Sequence, residues 1–210
     1  MIATSGIVLA ATSNFTQTIN AGTLAIDIVD ASYVTVGSPS VSMSATTFSF
    51  TCLTGGSAST GTFGTSSQVI YIKNPDAADN GWVVSLAASA TTAVWDSAGT
   101  DFDFNDPTTS GCGDGADSDS VAWQLTVDPS GGTLAVGACS SCATTGITKG
   151  SSSAFSEGVT DSITLLTGAS GSNDIGDWKL TGVALSQTIP AEQPAASDYD
   201  INMTLSVVAS

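Results

Sequence analysis

Hydrophobic and polar residues alternate with a period of two along most of this chain. Val84, Leu86 and Ala88 recur at every second position, with Ser85 and Ala87 between them. This spacing predicts a β-strand with one buried face, and no segment of helical length carries an apolar stripe at 3.6-residue spacing. The same alternation predicts further strands at 24–28, 69–73, 121–127, 163–165, 178–180, 183–185 and 199–207.

One longer alternating stretch changes phase part of the way along. Residues up to Met43 alternate in one phase, whereas Phe48 and Phe50 follow the other. Because a one-residue insertion restores the inward face after such a slip, the pattern predicts a strand over 41–52 that contains a β-bulge. A second slip of this kind falls at Gly182.

Turn-forming residues separate the predicted strands, as at Asn80-Gly81 and at residues 128–132. The chain is therefore predicted to be all-β, with about ten to twelve short strands in a single antiparallel β-sandwich or jelly roll. Residues 21–210 would form this domain, with a long acidic loop inserted at 96–120. Residues 1–20 would form an N-terminal extension.

The charge balance excludes several classes of function. The 210 residues include 19 acidic residues, three lysines, no arginine and no histidine, so the formal net charge is −16. Three lysines cannot neutralise a run of phosphates, so we expect neither nucleic-acid binding nor attraction to an anionic membrane. The lack of histidine removes Ser-His-Asp catalysis and His-ligated zinc. No apolar run reaches the roughly 18 residues of a membrane span, so membrane insertion is not expected.

The remaining composition is typical of an exported β-protein. Charged residues make up 10% of the chain, against about 25% in ordinary domains, and short polar residues take their place. Residues 6–11 resemble the end of an apolar signal segment, although no positive residue precedes them. They are either such a remnant or a functional strand. We therefore expect a secreted, extracellular protein at the cell surface.

Four cysteines, Cys52, Cys112, Cys139 and Cys142, are an even set, which in an exported chain favours two disulfides. Four cysteines allow three connectivities, and the sequence does not choose among them. The spacing Cys139-Ser-Ser-Cys142 is also that of half a zinc site or of a redox pair. Zinc would need a second pair nearby, and a redox motif would need a βαβ setting, so both alternatives are disfavoured.

Acidic residues are concentrated in the predicted insertion. Carboxylate and amide oxygens in a loop are the ligands that calcium prefers, and no basic residue is close in sequence to screen their repulsion. The candidate calcium ligands are Asp101, Asp103, Asn105, Asp106, Asp114, Asp117 and Asp119. Their spacing departs from an EF-hand, because Asp106 stands in place of the glycine and Cys112 in place of the final glutamate. The alternatives are an ordinary solvated turn and, as a weaker second site, Asp76, Asp79 and Asn80.

Glycoside hydrolysis requires two carboxylates and no histidine, so the composition alone does not remove it. Trp82, Trp123 and Trp178 lie at inward positions of predicted strands, which leaves Trp95 as the one tryptophan placed to stack on a sugar. With a single such residue, we expect no enzymatic activity.

The second half of the chain resembles the WxL-type surface domains of bacterial cell walls over roughly residues 68–208. Asn80-Gly81-Trp82-Val83-Val84 resembles their first motif, and the stretch from Ile189-Pro190-Ala191 through Tyr199 to Met203-Thr204-Leu205 resembles their closing strand. The layout is also similar to TasA/camelysin-type fibre subunits, with Asn14-Phe15-Thr16-Gln17 near the start. These resemblances imply an exported, non-catalytic protein that associates with the wall or polymerises.

Together these features predict a cell-surface filament subunit that binds copies of itself. In donor-strand assembly, an extended segment of one subunit completes a sheet of the next. The apolar stretch that contains Ile2, Ile7, Val8 and Leu9 is the candidate donor. The alternative is a calcium-dependent adhesin, or a module that binds glycan or cell wall.

Overall fold

A computed structural model describes residues 16–76, 80–106, 124–171 and 175–210. In this part of the chain there are fourteen β-strands, a 3₁₀ turn at Gly55–Ser57 and no α-helix. The strands are β1 Ala25–Val29, β2 Ser59–Phe63, β3 Val69–Asn74, β4 Trp82–Ala88, β5 Val94–Trp95, β6 Phe102–Asp103, β7 Leu125–Asp128, β8 Thr133–Val136, β9 Ile147–Lys149, β10 Ser153–Ala154, β11 Ser162–Gly168, β12 Gly176–Thr181, β13 Val183–Gln187 and β14 Met203–Ala209.

The strands form three four-stranded sheets and one short hairpin, and every pair is antiparallel. Sheet I has the order β1-β3-β12-β8, sheet II the order β10-β7-β13-β2, and sheet III the order β14-β4-β11-β9. β5 pairs with β6. The predicted all-β class and antiparallel β-sandwich are thus confirmed.

The core draws buried residues from all three four-stranded sheets, and sheets I and III meet at its two tryptophans. Trp82 of β4 and Trp178 of β12 are fully buried, and their ring centroids are 5.3 Å apart. Both were predicted to point inward from the alternation alone. Strand β11 carries a register shift between Thr164 and Leu166, which keeps both Leu165 and Leu166 buried.

Two glycines make the corners at which the chain passes between sheets. Gly182 separates β12 of sheet I from β13 of sheet II, and Gly64 separates β2 of sheet II from β3 of sheet I. Both have positive φ, and the Gly182 N–H donates to the Gly64 carbonyl at 2.7 Å. The phase slip predicted at Gly182 is therefore a change of sheet.

Two details of the sequence prediction are wrong. Residues 41–52 contain no strand, although their sequence alternates. The last strand begins at Met203, so Tyr199 and Ile201 precede it. Residues 102–106, which belong to the predicted acidic insertion, are all buried, so the alternative of a solvated turn does not hold for them. In the described ranges, no helix combines the length and the apolarity that crossing a bilayer requires.

Candidate functional site

The outer edge of strand β2 is covered by residues 41–50, here called the covering segment. Met43 packs over Gly61 so closely that a Cβ atom at Gly61 would lie 2.5 Å from the Met43 sulfur. The Ser44 N–H donates to the Thr60 carbonyl at 2.6 Å, and the Thr60 N–H donates to the Ser44 hydroxyl oxygen at 2.8 Å. The backbone N–H and C=O groups of Thr60 therefore point away from the rest of sheet II. Because the direction of these groups alternates along a strand, those of Thr62 point the same way.

The covering segment is not a regular partner strand. Among the described residues, Ser44 to Thr60 is the one backbone–backbone hydrogen bond between this segment and β2. Phe48 and Phe50 contact each other edge to face at 5.2 Å, and their exposed fractions are 48% and 77%. A sequence with strand alternation thus lies beside a strand edge without forming a ladder, and it exposes its aromatic residues.

A groove runs between the covering segment and sheet II. One part of it is a cavity of about 570 Å³ with an aromatic wall of Trp95, Phe102 and Tyr199. Trp95 stacks on Phe102 at 6.0 Å, and its indole N–H donates to the Gln187 side-chain oxygen at 3.1 Å. A second cavity, of about 790 Å³, continues past Thr60 and Thr62. The groove therefore offers pockets lined by both polar and apolar side chains beside an incompletely paired strand edge.

Charge is almost absent from the first third of the sequence. Apart from Asp27 and Asp30, every Asp, Glu and Lys lies at Lys73 or beyond. Residues 31–72, which include the covering segment and β2, contain no charged side chain. The net charge of −16 is therefore carried almost entirely by the other two thirds of the sequence.

The described half of the acidic cluster is folded into the protein. Asp103, Asn105 and Asp106 are buried with exposed fractions of 1%, 1% and 0%, whereas Asp101 is half-buried. The Asn105 amide donates to the Thr91 carbonyl at 2.8 Å, but within the described chain its Oδ1 is buried with no hydrogen-bond partner. Asp101 accepts a hydrogen bond from the Ser97 N–H at 2.9 Å.

These acids do not form a tight cluster by themselves. In the described ranges, a single set of three or more acidic or cysteine side chains has ligand atoms within 4.8 Å of one another, and it is Cys139, Cys142 and Asp177. Asp76 is half-buried and Asn80 is exposed. The other predicted calcium ligands, Asp79, Asp114, Asp117 and Asp119, lie outside the described residues.

The cysteine prediction is confirmed in part. Cys139 and Cys142 form a disulfide, and Cys52 is also disulfide-bonded. Cys112 lies outside the described residues, as do the candidate donor residues Ile2, Ile7, Val8 and Leu9.

No sequence pattern indicated a role for Asp177, which is 6% exposed beside the disulfide. The Tyr71 hydroxyl donates a hydrogen bond to the Asp177 carboxylate. Burial, reinforced by this hydrogen bond and by the negative charge of the carboxylate, raises the pKa of Tyr71 well above its usual range. The aspartate lies next to Trp178 on strand β12, which is paired on both edges, and these two successive residues point to opposite faces although both are buried. Alternation places only one of two such neighbours inside, so it could not reveal Asp177.

Comparisons with protein-family models, with curated proteins and with solved structures found no match to this chain.

Proposed function

We propose that this chain is a secreted, non-catalytic structural protein of the cell surface, and that it assembles into filaments by donor-strand complementation. The observation that carries the proposal is the outer edge of β2, which the covering segment holds through one backbone hydrogen bond beside pockets that contain apolar side chains such as Met43 and Phe48. A donor strand needs backbone groups to pair with and pockets for alternate side chains.

The composition of this edge favours assembly. Sheet edges of monomeric proteins are commonly protected by charged residues or proline, which discourage pairing with another chain. Neither is present in β2 or in the covering segment. Residues 2–9 are also uncharged, so a donor and this groove could meet without repulsion even though each copy carries a charge of −16.

The length of the candidate donor is also suitable. Eight extended residues span about 26 Å, and a strand rises about 3.3 Å per residue. This is longer than the five residues of β2, so a donor at 2–9 could pair along the whole edge. The Cys139–Cys142 disulfide supports an oxidising location such as the outside of a cell.

The first experiment compares the full chain with a variant that lacks residues 1–12, by negative-stain electron microscopy and light scattering. We expect filaments from the full chain and a folded monomer from the deletion. Filaments of unchanged appearance from the deletion would reject the donor. A full chain that stays monomeric at high concentration would reject the whole proposal.

A second experiment tests the groove with matched substitutions. Phe48→Lys places a charge in the groove, and Val159→Lys places one at an exposed apolar site in the turn between Ser156 and Thr160, where the side chain is 81% exposed. Both variants should fold. We expect the Phe48 variant to stop assembly and the Val159 variant to assemble normally. Equal behaviour of the two variants would show that the groove is not the acceptor.

The aromatic wall of the groove favours a second candidate, a module that binds glycan. Trp95, Phe102 and Tyr199 line one cavity, and sugars stack on aromatic rings. In that case the chain stays monomeric, and cell-wall oligosaccharides quench tryptophan fluorescence in the wild type more than in Trp95→Leu. Filament formation with no quenching would dismiss this candidate.

Calcium binding is a separate proposal, which Asn105 supports because its Oδ1 is buried without a hydrogen-bond partner in the described chain. The buried Asp103 and Asp106 would supply carboxylates. We expect Ca²⁺ to raise the melting temperature, EGTA to reverse the rise, and Asp103→Asn to abolish it. Asp161→Asn, at an exposed turn, is the matched control. A wild type that does not respond to Ca²⁺ would refute the site.

A further inference from the structure

The turn after strand β8 is fastened to strand β12 by a single carboxylate. β8 ends at Val136, and the Gly137 N–H donates to the backbone carbonyl of Asp177 at 2.9 Å. The next two N–H groups, of Ala138 and Cys139, donate to the Asp177 side chain, each at 2.8 Å. The carboxylate is thereby fixed in position at the base of the Cys139–Cys142 loop.

The two sulfur atoms lie against this carboxylate. The sulfurs of Cys139 and Cys142 and a carboxylate oxygen of Asp177 are all within 4.8 Å of one another. Strand β12 approaches so closely that a Cβ atom at Gly176 would lie 2.5 Å from the Cys142 sulfur. Asp177 is buried, whereas both cysteines are half-buried and can be reached from solvent.

We propose that Cys139, Cys142 and Asp177 bind a divalent metal of the zinc type when the disulfide between the two cysteines is reduced. Thiolate sulfur and carboxylate oxygen are ligands that zinc accepts. This set supplies the third ligand that the sequence did not reveal, because Asp177 is 35 residues beyond Cys142.

The geometry requires only a local adjustment. Ligand sulfurs in a tetrahedral zinc site are about 3.8 Å apart, with zinc–sulfur bonds of about 2.3 Å and zinc–oxygen bonds of about 2.0 Å. In the disulfide the two sulfurs are bonded to each other, and reduction would let them move apart to this distance. A carboxylate oxygen of Asp177 already lies within 4.8 Å of both sulfurs, and the Cα atoms of the two cysteines are 5.5 Å apart. The three hydrogen bonds to Asp177 leave about one of its four acceptor directions for a metal.

Reduction of the Cys139–Cys142 disulfide requires an external dithiol. The dithiol supplies two electrons and two protons, the sulfur–sulfur bond breaks, both cysteines become thiols, and the dithiol becomes its own disulfide. The metal then displaces the two thiol protons, and the Asp177 oxygen completes a three-ligand site. A fourth position faces solvent and would hold water. Oxidation to the disulfide and metal binding therefore exclude each other.

Cobalt titration tests this site in the full chain. The experiment uses a Cys52→Ser/Cys112→Ser background, so that the proposed pair supplies the thiols. After reduction with a dithiol and its removal without air, Co²⁺ should bind once per chain and give a sulfur-to-cobalt charge-transfer band, which Zn²⁺ abolishes. The oxidised protein should give no band. A reduced chain without a band would overturn the proposal.

Two variants and one spectroscopic measurement identify the ligands. Cys139→Ser should remove the charge-transfer band, and Asp177→Asn should weaken binding at least about tenfold while retaining the β-sheet circular dichroism. Wild-type affinity in Asp177→Asn would remove the carboxylate from the site. X-ray absorption of the wild-type zinc complex keeps the test decisive even if a variant does not fold. Two sulfur neighbours and at least one oxygen are expected, and four sulfurs would contradict the proposal.

Discussion

Replacement of Asp177 tests whether one buried carboxylate holds the Cys139–Cys142 loop on the sheet. In the folded protein the side chain accepts hydrogen bonds from Tyr71, Ala138 and Cys139. A buried donor that loses its partner costs about 1–3 kcal/mol. Ala138 is exposed and can bond to water instead, so the loss is concentrated on the other two donors.

We therefore expect Asp177→Ala to lower the free energy of unfolding by about 3 kcal/mol. Asp177→Asn keeps one carbonyl oxygen and should lower it by about 1–2 kcal/mol. Urea unfolding followed by tryptophan fluorescence measures both, because Trp82 and Trp178 are fully buried. Asp161→Ala, whose carboxylate accepts one N–H at an exposed turn, should change stability by less than about 0.5 kcal/mol. A loss in Asp177→Ala no larger than in this control would refute the reasoning.

Three further predictions concern the same core. Because the pKa of Tyr71 is raised in the folded protein, stability should fall as the pH rises above the usual tyrosine pKa of about 10, and Tyr71→Phe should flatten this part of a melting-temperature profile. Gly168→Ala would place a Cβ atom 2.5 Å from the Trp82 ring. It should cost about 1–3 kcal/mol in chemical unfolding and clearly less in a Trp82→Phe background. Cys139→Ser/Cys142→Ser should lower stability by about 2 kcal/mol, because the disulfide closes a short loop, and a loss above about 4 kcal/mol would contradict this.

The sequence predicted the six strands that have a partner on each side, and also the edge strands β1 and β14. β4 lies between β14 and β11, and its inward residues Trp82, Val84 and Leu86 are all buried. Alternation reports which face of a strand is apolar, and that face is buried by whichever layer packs against it, so the prediction does not depend on the identity of the neighbouring strands. The corner at Gly182 was visible for the same reason, since a change of sheet reverses the inward phase.

The same pattern failed where pairing depends on distant residues. The covering segment alternates as clearly as β4 does, but no second strand of the described chain forms a ladder with it. Alternation indicates that a segment can form a strand, but it does not identify the strand with which that segment pairs. Asp177 escaped prediction for a related reason. Its role depends on Cys139, 38 residues earlier, which comes into contact only through the pairing of β12 with β8.

The distribution of charge along the sequence bears on the proposed assembly through the incompletely paired edge of β2. The chain has a net charge of −16, yet no charged residue lies in β2. A single Asp or Lys there would discourage pairing with another chain. Instead, residues 31–72 contain no charge, and an acid from later in the chain, Glu192, contacts the covering segment through its backbone N–H, which donates to the Ser49 carbonyl. Two copies that each carry a charge of −16 repel one another as they approach. On the proposed function, added salt, which screens this repulsion, should therefore accelerate assembly through the β2 edge.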